Sequence, residues 1–188
     1  MRVRCPVLVT YPDPMLSDGV VTLRPWSLDD LDCIREAGTD PSIQSSTTVP
    51  ASWNLDVGRE FIQRQWKRLE CGEGISLAIE DLSLGRAVGL VSMMLRPQPG
   101  VVGLGYWIVP EARQRGIARR AAILAGSWAI GAGGFARIEA WVAPNNRPSR
   151  SVLIAAGFEL EGHLRSFLTL GDLRSDALVY ARIAISVT

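Results

Sequence analysis

The pattern of apolar and polar positions predicts a chain in which strands and helices alternate, most clearly in its second half. Short apolar runs bounded by glycine and proline are typical of strands, and they occupy residues 20–26, 75–81, 87–95, 101–109, 136–142 and 177–185, with a further strand opening at Gly157. Apolar residues at helical spacing predict helices at about residues 28–37, 56–69, 112–131 and 146–156. Alternating strands and helices favour an α/β fold with parallel or mixed strand pairing.

The same pattern predicts how the chain is organised. Residues 1–18 contain three prolines and no apolar period, so we expect an N-terminal arm there. Residues 19–188 contain no linker, repeat or low-complexity tract, and we expect them to form one domain. The polar segment 39–54 is too long for a tight connection, and we expect it to be a functional loop.

Composition narrows the class of protein. The net charge is only +1, so no global field attracts nucleic acid or an acidic membrane. One histidine and three widely spaced cysteines disfavour a metal site or a disulfide framework, and we expect a reduced, cytoplasmic setting without a metal cofactor. The uncharged run 121–136 has 16 residues, below the roughly 18 that suggest a membrane span.

The densest cluster of charge lies in VPEARQRGIARRAA, residues 109–122, between a predicted strand and a predicted helix. Its four arginines are Arg113, Arg115, Arg119 and Arg120, and Gly116 lies among them. Cations are unfavourable at a helix N-terminus, unless the free N–H groups of the turn bind an anion that the arginines also bind. The alternative is that the arginines are merely solvated. Neither G-x-x-x-x-G-K-[ST] nor G-x-G-x-x-G occurs in this segment.

Three segments together resemble one known family. Residues 113–118, RQRGIA, are similar to the [QR]-x-x-G-x-[GA] pyrophosphate loop of the Gcn5-related N-acetyltransferases (GNAT). The segments VTLRPWSLDDLD, GYWIVPEARQRGIA and RIEAWVAPNNRPSRSVLIAAGFELEG resemble the RimJ/RimL-like, ribosomal-protein-alanine branch. The resemblance runs from about residue 20 to 185. It implies a central mixed, mostly antiparallel twisted sheet of about seven strands and about four helices, splayed near an acetyl-CoA site.

The resemblance also implies acetyl-CoA as a co-substrate and assigns residues to hold it. The loop residues are Arg113, Gln114, Arg115, Gly116, Ile117, Ala118 and Arg119. On the preceding strand, Trp107, Ile108 and Val109 are expected to offer a backbone edge with which the amides of the pantetheine arm can pair. An N–H group there would also polarise the thioester carbonyl. Asn146 is expected to hold the cofactor or its loop, while Arg119 and Arg120 either reach an outer phosphate or face water.

Two residues are candidates for the chemistry. Strand alternation puts Glu139 on one face with its odd-numbered neighbours, where it could accept the amine proton or form a structural pair with an arginine. Many family members carry a tyrosine where this chain has Leu153, a departure from the pattern. The RimJ/RimL-like branch has a serine at the position of Ser149, and we predict that Ser149 donates a proton or a hydrogen bond to the leaving thiol. The alternative is that Ser149 only caps its helix.

The predicted function is acetyl transfer from acetyl-CoA to a primary amine, by direct attack on the thioester. The acceptor is either a protein N-terminal α-amine or a small molecule, and Gln44, Thr48 and Trp53 are predicted to shape its site. A GNAT module that binds acyl-CoA without catalysis is the alternative. An RNA-binding protein is a third reading, which the near-zero net charge disfavours. We expect no nucleic-acid or membrane partner, and a homodimer through the arm is possible.

Overall fold

The computed structural model describes residues 9–184, which form a single mixed sheet and its covering helices. The strands are β1 (Leu16–Ser17), β2 (Val21–Pro25), β3 (Gly74–Asp81), β4 (Arg86–Leu95), β5 (Val101–Ile108), β6 (Arg137–Val142), β7 (Glu159–Leu170) and β8 (Leu173–Ile183). The helices are α1 (Leu31–Ala37), α2 (Pro41–Ser46), α3 (Leu55–Glu70), α4 (Ile117–Ile130) and α5 (Arg147–Ala155). None of these helices is long and apolar enough to cross a membrane.

The strand order is β1-β2-β3-β4-β5-β6-β8-β7. Every neighbouring pair is antiparallel except β5 and β6, which are parallel. The predicted mixed, mostly antiparallel sheet is therefore confirmed. The connection between the two parallel strands runs through α4, as a parallel crossover requires.

Two elements were missed by the sequence pattern, which is why residues 9–184 contain eight strands and five helices instead of about seven and four. Residues 16–17 of the predicted arm form β1 on the edge of the sheet. Helix α2 lies inside the predicted loop 39–54, where the Asp40 side chain accepts the Ser42 N–H and Pro41 occupies the first helical position. Such a start favours a helix, but six residues are too few for an apolar period.

The sheet is splayed between its two parallel strands. β5 and β6 pair only from Val101 opposite Arg137 to Gly103 opposite Glu139. Beyond these positions β5 stays with β4 as far as Ile108, and it leaves β6. The predicted splay is confirmed, and it opens toward the N-terminus of α4.

Small residues place α4 close to the sheet. Ala121, Ala122, Ala125 and Ala129 are fully buried, so the helix backbone packs near the strands without large side chains between them. The helix begins at Ile117 and not near residue 112 as predicted, because Pro110–Ala112 forms a 3₁₀ turn and the four residues after it form a loop. That loop carries the arginine cluster.

Candidate active site

The turn before α4 presents backbone N–H groups without a capping side chain. Gly116 is the N-cap in the left-handed conformation, with φ of 75°, and no side chain caps the helix. Gln114 also has a positive φ, of 59°. The first N–H groups of a helix have no carbonyl partner within it, and a Cβ added at Gly116 would meet no atom within 4 Å. The turn is therefore an open cradle for an anion.

Carboxylates from distant segments hold the arginines of this turn. The Arg113 guanidinium lies 2.5 Å from the carboxylate of Asp40, at the start of α2, and its Nε donates to the carbonyl of Ile108 at 3.0 Å. Arg120 lies 2.7 Å from the Asp18 carboxylate. The alternative that these side chains are merely solvated is wrong for both, because each has a specific acidic partner.

Arg115 is anchored to the end of β3. Its Nη1 lies 2.7 Å from Oδ2 of Asp81, and its Nη2 donates to the Ser83 hydroxyl at 3.0 Å. Burial alone would raise the pKa of Asp81, but hydrogen bonds from Ser83 and the Arg115 charge outweigh it and lower the pKa. Asp81 therefore stays ionised and fixes one side of the loop.

Arg119 differs from its three neighbours. Among residues 9–184 it has no carboxylate within ion-pair distance. With Arg115, Gly116 and Arg120 it lines a cleft of about 300 Å³ beside the turn, whose apolar wall comes from α4. Of the two arginines whose roles the sequence left open, Arg120 is thus paired with Asp18, and a phosphate contact by Arg119 stays a prediction.

Fewer backbone N–H groups of β5 are free for a ligand than the sequence predicts. Val109 donates its N–H to the carbonyl of Val88 at 2.9 Å, so this group is not free for a ligand. Trp107 has the same orientation, because N–H groups alternate along an antiparallel strand and Leu90 lies opposite it. Of the three predicted residues only Ile108 points its N–H group into the splay. The same alternation adds Tyr106, which the sequence analysis missed.

Ser149 and Tyr106 form a hydroxyl pair beside the splay. The Tyr106 Oη lies 2.8 Å from the Ser149 Oγ and 3.1 Å from the Ser149 carbonyl oxygen. Asn146 caps α5 by accepting the Ser149 N–H at 3.1 Å, so the alternative that Ser149 is the helix cap is wrong. Leu153 is fully buried in the core. Period-two alternation along β5, with Tyr106 and Ile108 on one face, is the signal that could have identified the tyrosine.

Glu139 lies where β5 and β6 part, and arginines engage both of its carboxylate oxygens. Arg96 Nε is 3.3 Å from one oxygen, and Arg137 Nε is 3.1 Å from the other. The Arg96 guanidinium also stacks 3.5 Å from the centroid of the Trp141 ring. The structural pair given as an alternative for Glu139 is therefore present, and its role as a base stays a prediction.

These side chains line a second cleft, of about 380 Å³. Phe167 of β7 contributes to it and meets Trp141 edge-on at 4.7 Å. Gly103 leaves room for the Arg96 guanidinium, since a Cβ there would clash with it. The cleft is on the odd-numbered face of β5, opposite the face that carries the Tyr106 hydroxyl.

The three predicted acceptor residues do not line this cleft. The Gln44 amide donates to the carbonyl of Gly38, and the Trp53 ring packs on Gly58, whose missing Cβ leaves room for it. Thr48 is exposed. Their roles stay predictions. Among the described residues, no three His, Cys, Asp or Glu side chains converge as metal ligands would.

Comparisons with known proteins agree with this geometry. The family described as Acetyltransferase (GNAT) domain matches residues 21–159, which is more than half of the chain. No curated protein matches the sequence significantly. The solved structure of Mycobacterium smegmatis RimJ with CoA-disulfide is 26% identical, covers 90% of this chain and 84% of its own, and has a TM-score of 0.78.

Two further structures are less similar in sequence and share the fold. RimL, a ribosomal L7/L12 alpha-N-protein acetyltransferase with coenzyme A, is 18% identical, with coverage of 90% and 97% and a TM-score of 0.78. The Vibrio fischeri ribosomal-protein-S5-alanine acetyltransferase is 19% identical, with coverage of 93% and 98% and a TM-score of 0.76. The free amides before α4, the splay and the family match lead to one conclusion: the chain belongs to the GNAT family, as an acetyl-CoA-dependent N-acetyltransferase.

Proposed function

We propose that the acceptor of this N-acetyltransferase is the α-amine at the N-terminus of a protein or peptide. The observation that carries the proposal is the engagement of Glu139 by Arg96 and Arg137. Arg137 also lies 2.6 Å from the Glu161 carboxylate, so two guanidinium groups balance two carboxylates. A site without a net negative charge does not attract a polycation, and an aminoglycoside-like acceptor is therefore disfavoured. RimL, which has the same fold, is a protein α-amine acetyltransferase by its name.

The protonation state of the amine at neutral pH supports the same acceptor. An amine must be neutral to attack, and reference pKa values are about 8 for an α-amine and about 10.4 for a lysine side chain. A neutral-pH site without a free carboxylate therefore acts more readily on an α-amine, because less general-base assistance is required. Glu139, with both oxygens engaged, then serves mainly to position the two arginines.

The residues around the splay fit the co-substrate. Acetyl-CoA supplies an acetyl group activated as a thioester. The free N–H groups at the start of α4 and the arginines beside them suit its diphosphate. The N–H groups of Tyr106 and Ile108 suit the pantetheine amides or the carbonyl oxygen on which charge develops. Ser149 is placed to donate a hydrogen bond to the sulfur as the C–S bond breaks.

The test is a comparison of acceptors at pH 7.5. Initial rates of CoA release would be measured with a peptide carrying a free α-amine, the same peptide with an acetylated N-terminus and a free lysine, and the polyamine spermidine. We expect the free α-amine to react at least about tenfold faster than the other two, since one pKa unit changes the neutral fraction tenfold. Faster turnover of spermidine or of the lysine peptide would contradict the proposal.

A further inference from the structure

We propose that Tyr106 is a positioning residue for Ser149, whose hydroxyl it orients so that the serine O–H points into the splay between β5 and β6. This inference rests on the acetyl transfer proposed above, in which Ser149 assists departure of the sulfur. Nothing in the family match or in the names of the similar structures assigns a role to Tyr106.

The geometry fixes the serine from two sides. The Tyr106 Oη contacts both the Oγ and the carbonyl oxygen of Ser149, at 2.8 and 3.1 Å. The Ser149 N–H is held by the Asn146 side chain. Backbone and hydroxyl of Ser149 are therefore both restrained, by partners that come from the preceding loop and from β5. A serine hydroxyl otherwise rotates to suit its surroundings.

The pair also joins the two elements that flank the splay. Tyr106 belongs to β5, on the face of that strand shared with Ile108. Ser149 belongs to the first turn of α5, which follows β6 along the chain. A hydroxyl pair in this position sets the distance between the strand edge, which offers N–H groups, and the serine, which offers an O–H group.

The proton affinity of the phenol shows that Tyr106 is not the acid for the leaving sulfur. Burial raises the pKa of Tyr106 to about 12, although the hydrogen bond with Ser149 acts to lower it. The phenol therefore keeps its proton throughout the neutral range. A thiol has a reference pKa of about 8.5, so a net transfer of the phenol proton to sulfur is strongly unfavourable. Tyr106 therefore keeps its single O–H, which lies within hydrogen-bonding distance of both the carbonyl oxygen and the Oγ of Ser149, and it is not the acid itself.

The group transfer balances without ionisation of Tyr106. The amine nitrogen forms a C–N bond to the acetyl carbon, the C–S bond breaks, and its electron pair stays on sulfur. Ser149 donates a hydrogen bond to that sulfur, and the proton lost by the amine passes to water. The Tyr106 phenol loses no proton and touches no reacting atom, so the effect of its hydroxyl is exerted entirely through Ser149.

The test is a double-mutant cycle with Tyr106→Phe, Ser149→Ala and the double variant. We expect Tyr106→Phe to lower kcat about 5- to 20-fold while the dissociation constant for CoA, measured by calorimetry, is unchanged. The double variant should be no slower than Ser149→Ala, since Tyr106 then has nothing to orient; non-additivity of this kind is the sign of coupled residues. Losses that multiply in the double variant, or an unchanged kcat in Tyr106→Phe, would overturn the proposal.

A matched control separates orientation from simple packing. Tyr180→Phe removes a phenol oxygen that is also part-buried and that accepts from Arg150 Nε at 3.4 Å, and among the described residues this oxygen makes no hydrogen bond with Ser149. We expect both variants to keep the thermal midpoint within a few degrees and only Tyr106→Phe to lose kcat. Equal losses of kcat in the two variants would show that the effect is structural. If the parent protein acetylates no amine, the proposed function itself is wrong. That outcome is distinguishable from a failure of the Tyr106 proposal, which requires an active parent protein and altered variants.

Discussion

Gly116 is the single residue whose backbone conformation the anion cradle requires. Its φ of 75° is costly for any residue with a Cβ, by about 1 kcal/mol or more, and its open surface is where an anion must approach the N–H groups. Gly116→Glu would place a carboxylate there. We expect CoA binding to be lost, by at least about 100-fold in the dissociation constant from calorimetry, while the circular dichroism of the folded protein is retained.

The control for this substitution is Gly72→Glu. Gly72 has a similar φ of 67° and equally open surroundings, but it lies in the turn after α3. The two variants therefore share the backbone strain and differ only in their place. An unchanged affinity for CoA in Gly116→Glu, or an equal loss in Gly72→Glu, would show that the turn before α4 is not the cradle.

Residues near one another in sequence could be assigned from the sequence, whereas partners distant in sequence could not. Gly116 was placed by its motif and Ser149 by the resemblance, since both depend on local spacing. The carboxylates of Asp40, Asp81 and Asp18, which hold the arginines, come from three separate segments. Their pairing depends on the sheet order, which apolar periodicity does not determine, and the cluster therefore looked uncompensated.

At the scale of elements, the loop before α4 is braced by the end of β3. Asp81 is almost fully buried, with 1% of its side chain exposed, and it serves both Ser83 and Arg115. Asp81→Asn removes the charge from these contacts, and hydrogen bonds to a charged group contribute about 1.5–3 kcal/mol. We expect a lower thermal midpoint at pH 7, by several degrees for a domain of this size.

The lowered pKa of Asp81 predicts how its contribution to stability changes with pH. The pKa of Asp81 is lower in the folded protein than its usual value, so its stabilisation is present above about pH 4 and is lost as the pH falls through the lowered folded value. The difference in thermal midpoint between the parent and Asp81→Asn should therefore shrink below about pH 4. A difference that stays constant down to pH 3 would show that the charge of Asp81 is not what braces the loop.

Helices and strands with a long apolar period were predicted, whereas short elements that depend on a helix cap or on strand pairing were not. The periodic helix α3 has nearly its predicted bounds, Leu55–Glu70. The six-residue α2 depends on its Asp40 cap and Pro41, and the two-residue β1 depends on pairing with β2. The splay after Gly103 was predicted only through the family resemblance, because the residues of β5 and β6 carry no pattern that would stop their pairing.

At the scale of the whole molecule, the sheet places the Tyr106–Ser149 hydroxyl pair and the cleft around Glu139 on opposite faces of one splay. The face with Tyr106 and Ser149 adjoins the anion cradle, and the opposite face carries Glu139 in its arginine pairs. The tip of the β7–β8 hairpin reaches α2, where Gly171 donates to the carbonyl of Ser45 at 2.9 Å. Under the proposed function, the acceptor would enter the cleft around Glu139, on the face of β5 opposite the Tyr106 hydroxyl.

The most direct test of this arrangement is the site of acetylation in one peptide that carries both a free α-amine and a lysine. The protein would be incubated with acetyl-CoA bearing a deuterated acetyl group, and the label would be located by tandem mass spectrometry. We predict label on the α-nitrogen, with one CoA released for each label transferred. Label confined to the lysine side chain, or CoA binding with no transfer to any amine, would contradict the account.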